Sequence, residues 1–178
     1  LVFAACVHTA ADREEIIQAG ERLQALTVLP GETDTAVRDA IETFLQQHNT
    51  CVLATGYDDA VRATPIEYVY HDKKIYMFSE GGKKFANLYR NPQVSLAVFD
   101  SYAGFEKLAG LQIDGRCRMI EPDEPIYMTI AETKGITKER IQAMPVLLHV
   151  LEIQLTEAVF LWAGFLKLGK AVRQVYRF

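Results

Sequence analysis

Ser79, Gly81, Gly82, Lys83 and Lys84 stand together in the stretch SEGGKKFANLYRNPQVSL, residues 79–96. A hydroxyl, a backbone loosened by two glycines and two ammonium groups form a set that can hold a small anion such as a phosphate ester. The pattern predicts a strand ending at Ser79, a tight turn at the glycines, and a helix opening at residue 83 with free N–H groups that favour anions. Charge-assisted hydrogen bonds of this kind contribute about 1.5–3 kcal/mol. Lysines in a first helical turn oppose the helix dipole, so the pair is mildly unfavourable unless an anion offsets it. The plain alternative is a solvated lysine pair at a helix start. Arg62, on a neighbouring hairpin strand, adds a fork able to grip phosphate through two hydrogen bonds. An exposed arginine on a strand edge is the equal alternative.

Other reactive side chains form no set. Cys6, Cys51 and Cys117 are an odd, scattered trio without a CxxC pair, which reads as reduced thiols, Cys51 and Cys117 packing as small hydrophobes. His8, His48, His71 and His149 lack metal-ligand spacing, so no metal site is expected. Gly81-Gly82 carries neither a dinucleotide fingerprint nor a P-loop. The 178 residues, 49% hydrophobic and 24% charged with a net charge of −4, fit a soluble globular protein without a nucleic-acid or membrane-surface role. No apolar run is long enough to cross a bilayer, and the cytoplasm is the expected compartment. The apolar start LVFAACV is read as a trimmed or processed end; a lipoprotein signal ending at Cys6 is disfavoured because no charged region precedes it.

The elements that would position these residues follow from periodicity. A helix is expected over 12–26, capped by Asp12 and with Ile16, Leu23 and Leu26 on one face, and a break at Pro30-Gly31 follows. A second helix is expected over 35–48, capped by Asp34, with Val37, Ile41, Phe44, Leu45 and His48 as its stripe. Strands are expected over 51–55, 61–70, 75–79, 93–99 and 110–120, with Gly115 a bulge, and over 146–155 and 157–163 before a polar tail. Pro65 inside a strand predicts a sheet edge, a bulge or a ligand. A short helix over 83–90 stops at Asn91-Pro92, residues 101–109 form a loop, and a helical region broken near Gly135 runs from Pro122 to Met144. Short turns between strands favour an antiparallel sheet closed or nearly closed into a barrel, which removes its edges. Residues 1–33 are read as a helical extension and 34–178 as the barrel domain.

Residues 35–121 resemble the FMN-binding split β-barrel group typified by pyridoxamine-5′-phosphate oxidase. The resemblance rests on an ordered set: CVLATGYDD, VRATPIEYVY, IYMFSEGGKKFANLYRNPQVSLAVFD and LQIDGRCRMIE. Within it, a Ser ending a strand, then Lys, then Asn-Leu-x-x-Asn-Pro-x-Val is similar to the group's signature. The resemblance implies a mainly β protein, an antiparallel split barrel with flanking helices that binds FMN. It implies that Arg62, Ser79, Lys83 and Lys84 hold the phosphate and that Ala63, Thr64 and Pro65 run along the flavin ring. Phe78 would stand in the same wall. Gln112 would reach the flavin from the opposing subunit, and Trp162 matches an aromatic near it, with core packing as the equal alternative for Trp162.

The function implied is an FMN-dependent oxidoreductase acting as a homodimer on a small redox substrate. The alternatives are a flavin- or haem-binding protein without turnover, or a deazaflavin-dependent reductase. After Trp162 the chain reads AGFLKLGKAVRQ, where the group's oxidase has an Arg-x-His-Asp-type segment that grips pyridoxamine phosphate. That difference predicts poor activity on this substrate.

Overall fold

The structure, a computed structural model, describes residues 13–19, 21 and 34–178. The chain divides into two compact units, Leu1–Glu32 and Thr33–Phe178. In the first, residues 13–19 and 21 are helical. Asp12, Leu23, Leu26, Pro30, Cys6, His8 and the apolar start lie outside the described residues.

The second unit opens with α1 (Thr35–Gln47), capped by Asp34, whose Oδ1 accepts from the N–H groups of Ala36 and Val37 at 3.2 and 3.3 Å. Its buried residues are Val37, Ile41, Phe44 and Leu45, four of the five in the predicted stripe; the fifth, His48, is the C-cap in extended backbone, with its Nδ1 2.8 Å from the Phe44 carbonyl oxygen. Then come β1 (Thr50–Tyr57), β2 (Ala60–Glu67), β3 (Val69–His71), β4 (Lys74–Ser79), α2 (Lys83–Leu88), β5 (Gln93–Phe99), β6 (Ala109–Ile120), α3 (Pro125–Thr133), α4 (Lys138–Gln142), β7 (His149–Trp162) and β8 (Arg173–Arg177). Short 3-10 turns cover Phe105–Lys107 and Ala163–Leu168.

The strands pair in the order β2-β1-β5-β6-β7-β4-β3, with β8 also on β7, and every pairing is antiparallel. The two ends of this path, β2 and β3, are consecutive in the chain with only Tyr68 between them. The sheet therefore curls until its ends meet, the half-barrel expected of a split-barrel fold. Tyr68 is buried, its N–H donates to the Asn49 carbonyl at 2.7 Å, and its hydroxyl donates to the Leu45 carbonyl at 2.8 Å. This anchor breaks the single strand expected over 61–70 into β2 and β3. Pro65 lies on β2, an end of the path, the position in a sheet where proline is tolerated.

Two expectations near the C-terminus are corrected. Residues 149–162 form one continuous strand rather than two, because the register shift opposite Asp114 and Gly115 is absorbed by one extra residue, Thr156, without breaking the strand. The segment expected as a polar tail contains β8, which pairs with residues 157–161 of β7. β4 pairs with residues 149–154 of the same strand, so β7 gives one edge to β6 and divides the other between β4 and β8.

The core fills the inside of the curl with Leu53, Ile75, Met77, Leu96, Leu111, Ile113, Ile153, Phe160 and the stripe of α1. Cys51 and Cys117 are buried there and unpaired, and burial pushes both thiols up to about 12, which leaves them inert at neutral pH.

Candidate functional site

Because the chain folds back at Tyr68, β2 and β4 flank one cleft of about 550 Å³. Thr64, Pro65 and Ile66 come from β2, Phe78 and Ser79 from β4, and Glu80, Gly81 and Gly82 from the following turn. Lys84 of α2 and Leu148 before β7 complete the lining. The glycines sit at φ +113° and +92°, a backbone region side chains rarely enter, so the turn at this point requires them. Ser79 is buried, and its Oγ accepts from the Gly81 N–H at 3.2 Å, leaving its hydroxyl proton to donate.

Lys84 is half-buried. Its Nζ donates to the Gly81 carbonyl at 2.7 Å and lies 5.7 Å from the Phe85 ring centre. Burial, then the nearby Arg62 cation, lowers the Lys84 ammonium below the usual lysine value, partly offset by Glu80. Two cations facing one opening with few partners are costly alone and suited to an anion. The hydroxyl of Thr64 is buried in this cleft and has no hydrogen-bond partner. Buried polar atoms are rarely left so, and this one is available to a ligand.

Asparagines that the sequence pattern singled out without a role position the lysine. Asn87 Nδ2 donates to the carbonyl and hydroxyl of Thr55 at 3.3 Å each, and Asn91 Nδ2 donates to the Gly56 carbonyl at 2.9 Å. They pin the C-terminal end of α2 and the turn after it against β1. Glu80 and Leu148 also line the cleft, and no sequence signal marked them. α2 has six residues rather than the eight expected, and Gly82 caps it without a side-chain bond. A helix that short contributes little dipole, so anion holding rests on side chains.

Of the expected site residues, Thr64, Pro65, Phe78, Ser79 and Lys84 come together. Arg62 is exposed on β2, two residues before Thr64 and on the same strand face, close enough for its charge to act on Lys84. Ala63 points to the opposite face, opposite Ala54 of β1, and Lys83 is exposed outside the lining. Gln112 lies on the outer face of β6, in the row Pro65–Val52–Ala97–Gln112–Val159 across the sheet. Three strand spacings, about 14 Å, separate it from Pro65.

Trp162 is farther still. Ser79 pairs with His149 at the start of β7, and Trp162 ends that strand, ~40 Å away along an extended chain. The indole borders a second groove with Phe44, Phe160 and Leu168. Within one chain, Gln112 and Trp162 do not join the cleft.

Residues 37–162 match the sequence model of a family described as pyridoxamine 5′-phosphate oxidase. No curated protein matches the chain. Among solved structures, a putative pyridoxamine 5′-phosphate oxidase from Listeria innocua is similar over 70% of this chain and 98% of its own, with 24% identity and a TM-score of 0.56. An FAD-binding protein from Mesorhizobium loti matches 68% of this chain and 89% of its own at 22% identity and a TM-score of 0.56. HutZ, the haem storage protein of Vibrio cholerae, matches 66% and 88% at 19% identity and a TM-score of 0.54. At these identities the structural likeness speaks for the fold.

Proposed function

The chain belongs to the pyridoxamine 5′-phosphate oxidase family, and from that premise we propose that it is an FMN-binding oxidoreductase acting as a homodimer. The observation that carries the reading is the partnerless hydroxyl of Thr64, buried in the cleft that also holds Ser79 and Lys84. The donor set fits a phosphorylated flavin. Lys84 and Ser79 take the phosphate from inside the cleft and Arg62 from its rim, while the edge of β2 at Thr64 and Pro65 lines the ring. When bound, the flavin supplies the acceptance and return of hydride, and the protein supplies binding and orientation. Two of the ten expected contacts, Gln112 and Trp162, sit on surfaces a partner chain would bring to the cleft.

The ligand is identified by absorption spectrum and by mass after denaturation of the purified protein. Titration then compares FMN with riboflavin, and FMN is expected to bind at least tenfold tighter because the phosphate supplies a charge-assisted contact. Equal affinity removes the phosphate assignment. Bleaching of the bound flavin by a reduced nicotinamide and recovery in air support turnover. A haem spectrum or a flavin that does not cycle supports the second reading, a carrier without turnover, which the name of the Vibrio cholerae neighbour brings forward.

A further inference from the structure

The groove at the far end of β7 differs in chemistry from the cleft. It measures about 510 Å³, and its lining combines the aromatic group Phe44, Phe160 and Trp162 with Asp39, His48 and Asp100. Neither lysine nor arginine is among its lining residues. Its carboxylates are only half used: Asp39 meets Arg38 through Oδ1 at 3.0 Å, and Asp100 meets His48 through Oδ1 at 2.8 Å. The Oδ2 atoms of both make no bond among the described residues.

The aromatic wall is fixed in place. The Trp162 ring lies parallel to Phe160, 5.7 Å between centres and 4° between planes, with the Phe165 ring edge-on at 5.1 Å. It also folds flat over Gly164, where a Cβ would come within 2.2 Å of the indole. Gly164 is therefore required for this placement of Trp162. An indole held at the groove wall, with two carboxylates at its exposed rim that each keep one oxygen without a hydrogen bond, favours a flat aromatic cation over an anion.

We infer that this groove is a binding site for a flat aromatic ligand that is cationic or neutral, and that it rejects phosphorylated or carboxylated ones. Calling this ligand the substrate rests on the flavoprotein reading above, in which a partner's flavin meets Trp162; binding itself does not.

Trp162 is the only tryptophan of the chain, so its fluorescence reports this groove alone. The full chain, flavin-free and flavin-loaded, is titrated with 1-methylquinolinium, quinoline and quinoline-6-sulfonate, followed by tryptophan quenching and calorimetry. Saturable binding with the cation preferred over the sulfonate by about tenfold or more is expected. In the Asp39→Asn/Asp100→Asn variant the preference should collapse to about threefold or less while quinoline binding persists. Gly164→Ala should weaken all probes that bind, and its melting temperature is measured alongside. Non-saturable quenching, equal binding of cation and sulfonate, or a preference unchanged in the double aspartate variant overturns the inference. If the cation binds but no flavin does, the flavin reading falls and the groove stands; if flavin binds and the cation does not, the groove alone falls.

Discussion

Lys84 is the residue on which the cleft turns. Replacing it with alanine should weaken FMN by about tenfold to a hundredfold, from loss of one charge-assisted contact, and leave riboflavin nearly unchanged. Arg62→Ala should act in the same direction with a smaller effect, since it stands exposed in solvent. Parallel titrations with both flavins check this. The lysine also sets a pH dependence. Burial and Arg62 hold its ammonium below the usual lysine value, so the proton leaves at a lower pH than from a free lysine. Anion affinity should fall as pH rises through that range, and Lys84→Arg should flatten the fall. At this scale the sequence is informative for cations and silent on partners. Ser79, Lys84 and the glycines are legible because their types fit anion chemistry. The roles of Asn87 and Asn91 are not, because each acts on a carbonyl of β1 more than thirty residues earlier.

Among the elements, β7 carries the most weight. Glu152 sits at its buried half and accepts from Lys74 at 3.1 Å, Tyr76 at 3.0 Å and Arg118 at 3.2 Å, tying β4, β7 and β6 in one row. Burial pushes its carboxyl up, and the three donors together more than reverse this, so it is held below the ordinary glutamate value. The contribution is fully present above the unfolded pKa, about 4.3, and is lost as pH falls through the lower folded value. Glu152→Gln should cost about 1–3 kcal/mol in chemical denaturation at pH 7, discounted because Arg118 and Lys74 remain partly hydrated, and the difference from wild type should shrink in acid. Gly115 faces β7 across the bulge, and a Cβ there would stand 2.7 Å from the Gln154 carbonyl oxygen. Gly115→Ala should destabilise by roughly 2–4 kcal/mol, read as a drop in melting temperature, because the opposing atom is backbone and cannot move aside. Gly115 marked the site of the bulge in the sequence, but the extra residue is on the facing strand, β7. The unity of β7 was not legible, since the extra residue, Thr156, breaks the alternation that marks a single strand.

For the whole molecule, the outer face of the sheet is the surface that matters. Its row of Val52, Ala97, Gln112 and Val159 is small or apolar and only half-covered, apart from the exposed Gln112, and Phe99 stands exposed beside it. Sedimentation should show a dimer at micromolar concentration, and Ala97→Arg should give monomers that hold flavin weakly. A monomeric wild-type protein still loaded with flavin would count against an interface-bound cofactor. Turnover of pyridoxamine phosphate should be low. Residues 163–172 form a 3-10 turn and its exit, with Leu166 and Leu168 exposed, rather than a charged grip on a phosphate. Oxygen-coupled formation of pyridoxal phosphate at an ordinary enzymatic rate would refute that. The barrel as a class was legible because short turns and alternation are local; its closure at one tyrosine is a long-range fact, invisible to periodicity.

That closure has a consequence for biosynthesis. Until β7 leaves the ribosome, the nascent chain holds two unfinished half-sheets, β2-β1-β5-β6 and β3-β4, hinged at Tyr68. Each presents a bare strand edge, β6 on one side and β4 on the other, and both wait for the same partner some thirty to seventy residues downstream. Such edges are templates for pairing with other chains, and pairings between distant segments form slowly. The molecule should be most dependent on chaperones in the interval between the emergence of Ile120 and that of Trp162. Ribosome-stalled chains ending at 148 should bind trigger-type holdases and aggregate when released, whereas chains carried past 178 should do neither.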